Sequence, residues 1–303
     1  MPVNPGADTA LALQTAWAWT SDCFKLTKPK LLSLVLFTTL VGFYTATRGP
    51  VPILLLLHTL IGTALIAGGA TALNMYRERK LDALMKRTAL RPLAAGRLPS
   101  GPALIFALAL SAGGLAHLLV RVNHLTGLLA ALVFTCYLFL YTPLKTKTWL
   151  STFVGAVPGA LPVVMGWTAA SGSVASGAWI LFAIVFLWQL PHFYAIGWLH
   201  REDYVNAGLP VLSVMDRDGQ KTGRLAVSFV AVLLVFTLLP FLRDFAGRVY
   251  LAGAVILGLL FLSYAIRFLR LRDARTARML FIASALYLPS LFALLVLDKT
   301  VKP

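Results

Sequence analysis

Nine long apolar runs dominate the sequence and limit what the chain can fold into. Each is about 17–25 residues long, which is the length a helix needs to cross a hydrocarbon layer of roughly 30 Å. With 59% hydrophobic and 13% charged residues, the chain is too apolar for a soluble globular protein. We therefore predict an all-α polytopic membrane protein with about nine transmembrane helices. They lie near residues 31–47, 53–73, 102–120, 125–142, 149–169, 177–199, 225–241, 249–266 and 279–297.

Lysine and arginine are distributed unevenly among the loops between these runs. If the N-terminus is cytoplasmic, 21 of the 27 basic residues fall in cytoplasmic segments and 6 in outside segments. Basic residues accumulate in the cytoplasmic loops of membrane proteins, so we predict a cytoplasmic N-terminus. Residues 1–24 contain no Arg or Lys, unlike a transit peptide or a cleavable signal. We expect them to form an N-terminal cytoplasmic segment before one transmembrane domain at 25–303, in a bacterial cytoplasmic (inner) membrane.

The net charge of +16 raises the question of nucleic acid binding. The charge is divided among short loops beside apolar runs, which is the pattern that membrane topology and anionic lipid headgroups require. We therefore expect membrane lipid as a partner and no nucleic acid. Cys23 and Cys136 are far apart and form no CxxC pair, so the sequence indicates neither a disulfide framework nor a thiolate metal site.

Two cytoplasmic connections, 74–101 and 200–224, are longer and more polar than the others. Each follows an even-numbered run, and the two are four runs apart. This spacing suggests a duplicated four-helix unit whose two polar loops face one another over a shared cavity.

The first of these connections begins with a regular series of oxygen-bearing side chains. If the second helix continues past Asn74, then Asn74, Glu78 and Asp82 are spaced i, i+4 and i+8 and lie on one face. Mg²⁺ prefers a few such oxygens together with water and substrate phosphates, and Arg87 and Arg91 follow at a distance suited to binding phosphate. The alternative is a solvated loop whose acids pair with its own bases. Spacing alone does not separate the two.

A longer stretch of sequence favours the metal and phosphate site over the solvated loop, because it resembles a motif of a known family. The sequence "NMYRERKLDALMKRTALRPLAAGRLP" resembles the first acidic motif of the UbiA-type membrane prenyltransferases, and most closely that of their protohaem IX farnesyltransferase subfamily, whose pattern is near N-x-x-x-D-x-x-x-D-x-x-M-x-R-T-x-x-R-P-L. The matching positions are Asn74, Asp82, Met85, Arg87, Thr88, Arg91, Pro92 and Leu93. Similar segments, such as "LTKPKLLSLVLFTTLVGF" and "FLWQLPHFYAIGWLHREDYVNAGLPVLSV", extend the resemblance over roughly residues 25–215.

The resemblance implies a UbiA-like fold around a central cavity and transfer of a farnesyl group from farnesyl diphosphate to a vinyl group of haem b, giving haem O. It implies Mg²⁺ held by Asn74, Glu78 and Asp82, and haem A synthase as a candidate partner. Its implied catalytic residues are Asn74, Glu78, Asp82, Arg87 and Arg91. The chemistry and position of a further set make them candidate substrate-binding residues: Lys145, His192, Asp203, Tyr204 and Tyr141. Among the latter, His192 is expected to contact haem iron or a propionate, and residues 83–101 are expected to cover the cavity.

Three positions depart from the subfamily pattern. Glu78 stands where Asp is commoner, which keeps the carboxylate but lengthens its reach. Ser151 stands where Asn is frequent. The second polar loop offers Glu202 and Asp203 instead of the D-x-x-x-D of relatives that act on quinone precursors, so a second metal on that side is less well supported.

Two other functions remain open at the level of sequence. A UbiA-type enzyme that prenylates an aromatic quinone precursor would be favoured by D-x-x-x-D in the second loop. A cation-coupled transporter would use the same three oxygen ligands for its coupling ion. The position of these acids at a cytoplasmic edge and the R-T-x-x-R-P-L sequence after them both count against transport.

Overall fold

In the computed structural model, which describes residues 17–300, nine helices are long and apolar enough to span a membrane. They confirm the predicted number of spans. We label them α1 to α9 in chain order. Their bounds are Pro29–Ala46, Ile53–Asp82, Ser100–Arg121, His124–Leu144, Ser151–Ser171, Ser176–Leu199, Gln220–Leu242, Arg248–Leu271 and Ala274–Leu297. The described part of the chain contains no β-strand.

Short connections make most consecutive helices antiparallel neighbours. Helix α2 packs along α3, α5 along α6, and α8 along both α7 and α9, while α1 packs mainly against α5. Helices α5 and α6 are the most buried of the nine. They form the centre of the bundle, and the other helices cover them.

The contact between α1 and α5 is close because glycines face the opposite backbone on both sides. A Cβ atom on Gly42 would collide with the carbonyl oxygen of Val163, and one on Gly166 would collide with that of Thr39. Small residues allow this backbone approach in membrane helices, where dispersion contacts contribute much of the association. The two glycines therefore fix α1 against the central helices.

The chain before α1 is also held in place, within the described residues. It is helical from residue 17 to residue 26, with Cys23 and Leu26 packed into a core cluster beside α2 and α3. Asp22 forms ion pairs with Lys25 and, across the fold, with Arg97. Most of the predicted N-terminal segment, residues 1–16, lies outside the described residues, so its cytoplasmic position stays a prediction.

Candidate active site

Helix α2 continues without a break to Asp82, so the polar residues that follow its apolar part share one face. Asn74, Glu78 and Asp82 are 2%, 5% and 1% exposed, and all three line one cavity of about 200 Å³ at the end of the bundle where α2 ends. Arg87, Arg91, Lys145, Tyr141 and Tyr204 line the same cavity. The structure thus brings eight of the ten sequence-predicted residues together.

Each oxygen-bearing side chain of this stripe contacts a basic side chain. Lys28 Nζ donates to Asn74 Oδ1 at 2.8 Å, and Lys145 Nζ lies 3.2 Å from both carboxylate oxygens of Glu78. Arg91 Nη1 lies 2.8 Å from both oxygens of Asp82. Unpaired carboxylates would be costly in so buried a position, so these contacts stabilise the site without a ligand.

The positions of these pairs argue against the alternative of a solvated loop. Asp82 does pair with a base of its own loop, but that pair lies in a cavity wall and not in solvent. The partners of Asn74 and Glu78 come from other segments, 46 and 67 positions away. The acidic stripe is therefore part of a tertiary site.

Lys28 also lines this site, although its sequence position alone does not single it out. It precedes Pro29, the first residue of α1, and its backbone is left-handed with φ 49°, a conformation that a residue with a side chain seldom adopts. Enclosure in the protein lowers the pKa of Lys28 to about 7, and the positive charge of Arg91 acts in the same direction. The "LTKP" segment was the available signal for its role.

A π-helical segment at Cys136–Tyr141 shapes the wall opposite the acidic stripe. Thr142 Oγ1 donates to the Tyr137 carbonyl five residues back, at 2.8 Å, and accepts from Asn74 Nδ2 at 3.3 Å. Tyr137 and Tyr141 stack with ring centroids 5.6 Å apart, and both line the polar cavity. Such π-bulges occur frequently at functional sites. Tyr137 had no distinguishing signal in the sequence.

The two polar loops meet above the cavity, as the sequence suggested. The Asp203 carboxylate accepts hydrogen bonds from the backbone N–H groups of Lys86 and Arg87, at 3.1 and 3.4 Å. Arg87 Nη2 also donates to the Tyr204 hydroxyl at 3.3 Å. Asp203 lines neither of the two cavities, and its two hydrogen bonds are to the first loop. A substrate-binding role for Asp203 stays a prediction.

A second, larger cavity of about 350 Å³ adjoins the polar one. Side chains that line both include Lys28, Tyr137, Tyr141, Lys145, Phe193, Ile196 and Tyr204. Its walls are mainly apolar and come from the inner faces of α1, α2, α5 and α6, with His192, Trp188 and Ser151 among them. Its size lies within the range of small-molecule sites. An amphiphile could therefore place a charged head in the first cavity and an apolar tail in the second.

The donor atoms of the polar cavity suit a hard divalent cation. Within residues 17–300 no three His, Cys, Asp or Glu side chains cluster as a metal site, so the protein would supply two carboxylates and one carboxamide. A cation such as Mg²⁺ commonly completes its coordination with water and substrate phosphate oxygens. The residues therefore fit a metal that binds together with a diphosphate.

Solved structures of other proteins share this fold. A structure described as digeranylgeranylglyceryl phosphate synthase in membranes superimposes with a TM-score of 0.78 at 16% identity, over 92% of this chain and 98% of that one. A UbiA homologue from Archaeoglobus fulgidus, bound to DMAPP and Mg²⁺, has a TM-score of 0.66 at 16% identity, over 90% of this chain and 99% of its own. The chain therefore shares the fold of these two proteins.

The chain belongs to the UbiA prenyltransferase family, whose family model matches residues 35–292. The chain is 45% identical to the protoheme IX farnesyltransferase of Solibacter usitatus (strain Ellin6076), over 92% of this chain and 98% of the relative. It is 42% identical to the enzyme of the same name from Koribacter versatilis (strain Ellin345), over 92% and 94% of the two chains.

Proposed function

We propose that this protein transfers the farnesyl group of farnesyl diphosphate to a vinyl group of haem b, giving haem O and diphosphate. The proposal is supported by the shared name of the relatives that match almost the whole chain. The observation that carries it is the junction of a base-rich polar cavity with an apolar cavity between the same helices. Diphosphate head and farnesyl tail require these two environments side by side.

The polar cavity would bind the diphosphate through its basic side chains. Lys28, Lys145, Arg87 and Arg91 all line it, and guanidinium and ammonium groups form charge-assisted hydrogen bonds to phosphate oxygens. As the bond between C1 and the diphosphate oxygen breaks, negative charge accumulates on the leaving group. Donors that face that position in the substrate complex would lower the barrier, a contribution typically of about 3–4 kcal/mol for a single well-placed donor.

Asn74, Glu78 and Asp82 would hold Mg²⁺ beside the diphosphate. When bound, the cation supplies a Lewis acid that neutralises charge on the leaving group. Before substrate binds, the two carboxylates of this set pair with Lys145 and Arg91, and the neutral Asn74 accepts from Lys28. The basic side chains would exchange these partners for the diphosphate, and the side-chain oxygens would exchange theirs for the cation. We therefore expect diphosphate and cation to bind together.

The apolar cavity would hold the farnesyl tail and exclude water from C1. The vinyl group of haem b supplies the electrons for the new carbon–carbon bond. Water then adds to the resulting porphyrin cation and loses a proton, which leaves a hydroxyethylfarnesyl side chain. Residues 83–99, held by Asp203 through two backbone N–H groups, would cover the polar cavity during the transfer.

We further propose a bacterial cytoplasmic (inner) membrane with the N-terminus inside, because the basic loops then lie on the cytoplasmic side. Both polar loops would face the cytoplasm in this orientation. Haem A synthase, an enzyme that would take haem O further, is the expected partner.

The test uses membranes that contain the protein, incubated with haem b, farnesyl diphosphate and Mg²⁺. Mass spectrometry should detect a farnesylated porphyrin, and membranes with the Asp82→Asn variant should give none. If a quinone precursor such as a phenolic acid is prenylated in the same membranes and haem is not, the protein is the related enzyme of quinone synthesis. Proton or sodium flux coupled to a solute, without any prenylated product, would indicate a transporter.

A further inference from the structure

His192 lies in α6, in the wall of the apolar cavity. Its two expected contacts, haem iron and a haem propionate, make opposite demands on the imidazole ring. Iron needs a nitrogen with a free lone pair, whereas a carboxylate needs an N–H donor. The hydrogen bonds around His192 distinguish the two.

The Ser284 hydroxyl has only one proton to donate, and its hydrogen bonds indicate whether His192 Nδ1 carries a proton. The Ser284 hydroxyl lies 2.6 Å from the Phe281 carbonyl oxygen, which can only accept, so the hydroxyl proton is used there. Ser284 Oγ also lies 2.7 Å from His192 Nδ1. It must therefore accept from Nδ1–H, and Nδ1 carries a proton.

The other ring nitrogen is left as an acceptor. No hydrogen bond or ion pair joins His192 to a carboxylate in the described part of the chain, and a charged imidazolium inside a transmembrane helix is costly without one. The neutral ring then has its lone pair on Nε2. Within residues 17–300 Nε2 has no hydrogen-bond partner, while the side chain borders the cavity.

The ring is held in this orientation from three directions. It stacks on Trp188 with centroids 5.2 Å apart and makes a tilted contact with the Phe281 ring, with centroids 5.0 Å apart. Trp188 Nε1 donates to the Ser284 backbone carbonyl at 2.7 Å, so the same serine holds both rings. An imidazole whose Nδ1–H is fixed by a hydrogen bond and whose Nε2 is free has the arrangement found in metal-ligating histidines.

We propose that His192 Nε2 is the axial ligand to the iron of the porphyrin acceptor, and that Ser284 is its positioning residue. The proposal rests on the proposed function and specifies how its second substrate is held. Phe193 and Ile196, the next residue and one turn further along α6, line both cavities. A porphyrin bound at His192 would share the apolar cavity with the farnesyl tail and lie beside the passage to the diphosphate site.

The test is a haem titration of the purified protein in detergent, followed by absorption spectroscopy. The wild-type protein should bind haem b at least tenfold more tightly than metal-free protoporphyrin IX, about 1.4 kcal/mol, because only haem offers iron. His192→Ala should bring this ratio to about one and remove the nitrogen-ligated haem spectrum, and added imidazole should restore that spectrum. Ser284→Ala should weaken haem binding roughly tenfold and leave protoporphyrin binding unchanged.

His124→Ala is the matched control, since His124 is exposed at the start of α4, and it should change neither quantity. His192→Gln, which preserves more of the side-chain volume, repeats the test if the alanine variant does not fold. An unchanged haem spectrum and affinity ratio in a folded His192 variant would overturn the proposal. That result can coexist with farnesylated haem from the wild-type protein. Conversely, ligation by His192 without any farnesylated product would reject the proposed function alone.

Discussion

Arg91 Nη1 lies 2.8 Å from both carboxylate oxygens of Asp82. One guanidinium nitrogen thus occupies the position between the two oxygens where a divalent cation would bind. Asp82 is 1% exposed, so its charge requires a partner at all times. If Asp82 binds a cation as proposed, this pair is expected to open when the metal and substrate bind.

Asp82→Asn should lower kcat at least about 100-fold, or about 2.7 kcal/mol, because a carboxamide balances neither Arg91 nor a divalent cation. The measurement is farnesylated haem formed per unit of folded membrane protein. Glu202→Gln removes an exposed acid of the second loop and should stay within about twofold of wild type. Near-normal turnover in Asp82→Asn would remove this residue from the metal site.

We expect the extra methylene of Glu78, relative to an aspartate, to help its carboxylate reach its partners in the site. Its carboxylate reaches Lys145 at 3.2 Å, and an aspartate would withdraw the carboxylate by about one methylene. We expect Glu78→Gln to lose roughly 100-fold in kcat and Glu78→Asp to lose less, since it keeps the charge. Measured side by side under saturating Mg²⁺, a larger loss in Glu78→Asp than in Glu78→Gln would show that reach, and not charge, governs this position.

Asp203→Asn tests the connection between the two polar loops. The carboxamide would present an N–H₂ group to one of two backbone N–H donors, so residues 83–99 should loosen. We expect the KM for farnesyl diphosphate to rise about tenfold and proteolysis within 83–99 to accelerate. Tyr204→Phe removes only the hydroxyl that accepts from Arg87 and is the milder control. A normal KM with unchanged proteolysis would mean that Asp203 is dispensable for the loop.

Removal of divalent cations should weaken the binding of farnesyl diphosphate at least about tenfold. The basic side chains that would bind the diphosphate are paired with Asn74, Glu78 and Asp82. A divalent cation bound to these three residues would release the basic side chains for the diphosphate. Binding of labelled farnesyl diphosphate, measured with EDTA and with excess Mg²⁺, checks this. Farnesol shares the tail and lacks the charge, so its binding should not respond. Metal-independent binding of the diphosphate would contradict coupled binding.

The ion pairs of Asp22 should make stability depend on acidity. The hydrogen bond from Arg97 lowers the pKa of Asp22, with desolvation acting in the opposite direction. A carboxyl whose pKa is lowered by folding stabilises the protein above its unfolded pKa of about 3.9. This contribution disappears as the pH falls through the lower folded pKa. Asp22→Asn should therefore lower the Tm by roughly 2 °C at pH 6, and the difference from wild type should shrink towards pH 3.

Hydropathy was sufficient to predict the spans, and the structure confirms nine of them in residues 17–300. The reason is that a segment in lipid must satisfy its own backbone hydrogen bonds, so a long apolar run has few alternatives to a helix. The acidic stripe was predictable for a related reason. Helical periodicity is local, and it places residues four apart on one face once α2 continues to Asp82.

Which bases meet that stripe was not predictable from the sequence alone. Lys28 reaches Asn74 across 46 positions and Lys145 reaches Glu78 across 67. Local patterns carry no information about such pairs, because they depend on how α1, α2 and α4 pack. The π-helical turn that places Tyr137 in the cavity wall is equally hidden in an apolar run.

The sequence by itself thus determined the membrane spans, the family resemblance and the oxygen ligands on one helix. The tertiary structure alone decided that Asp203 contacts the first polar loop, that Lys28 belongs to the polar cavity, and that Ser284 of α9 lies within hydrogen-bond distance of His192. The physical reason is distance along the chain. Helix formation and hydrophobicity act between near neighbours, whereas the charge pairs and hydrogen bonds of the site form only after the helices have packed.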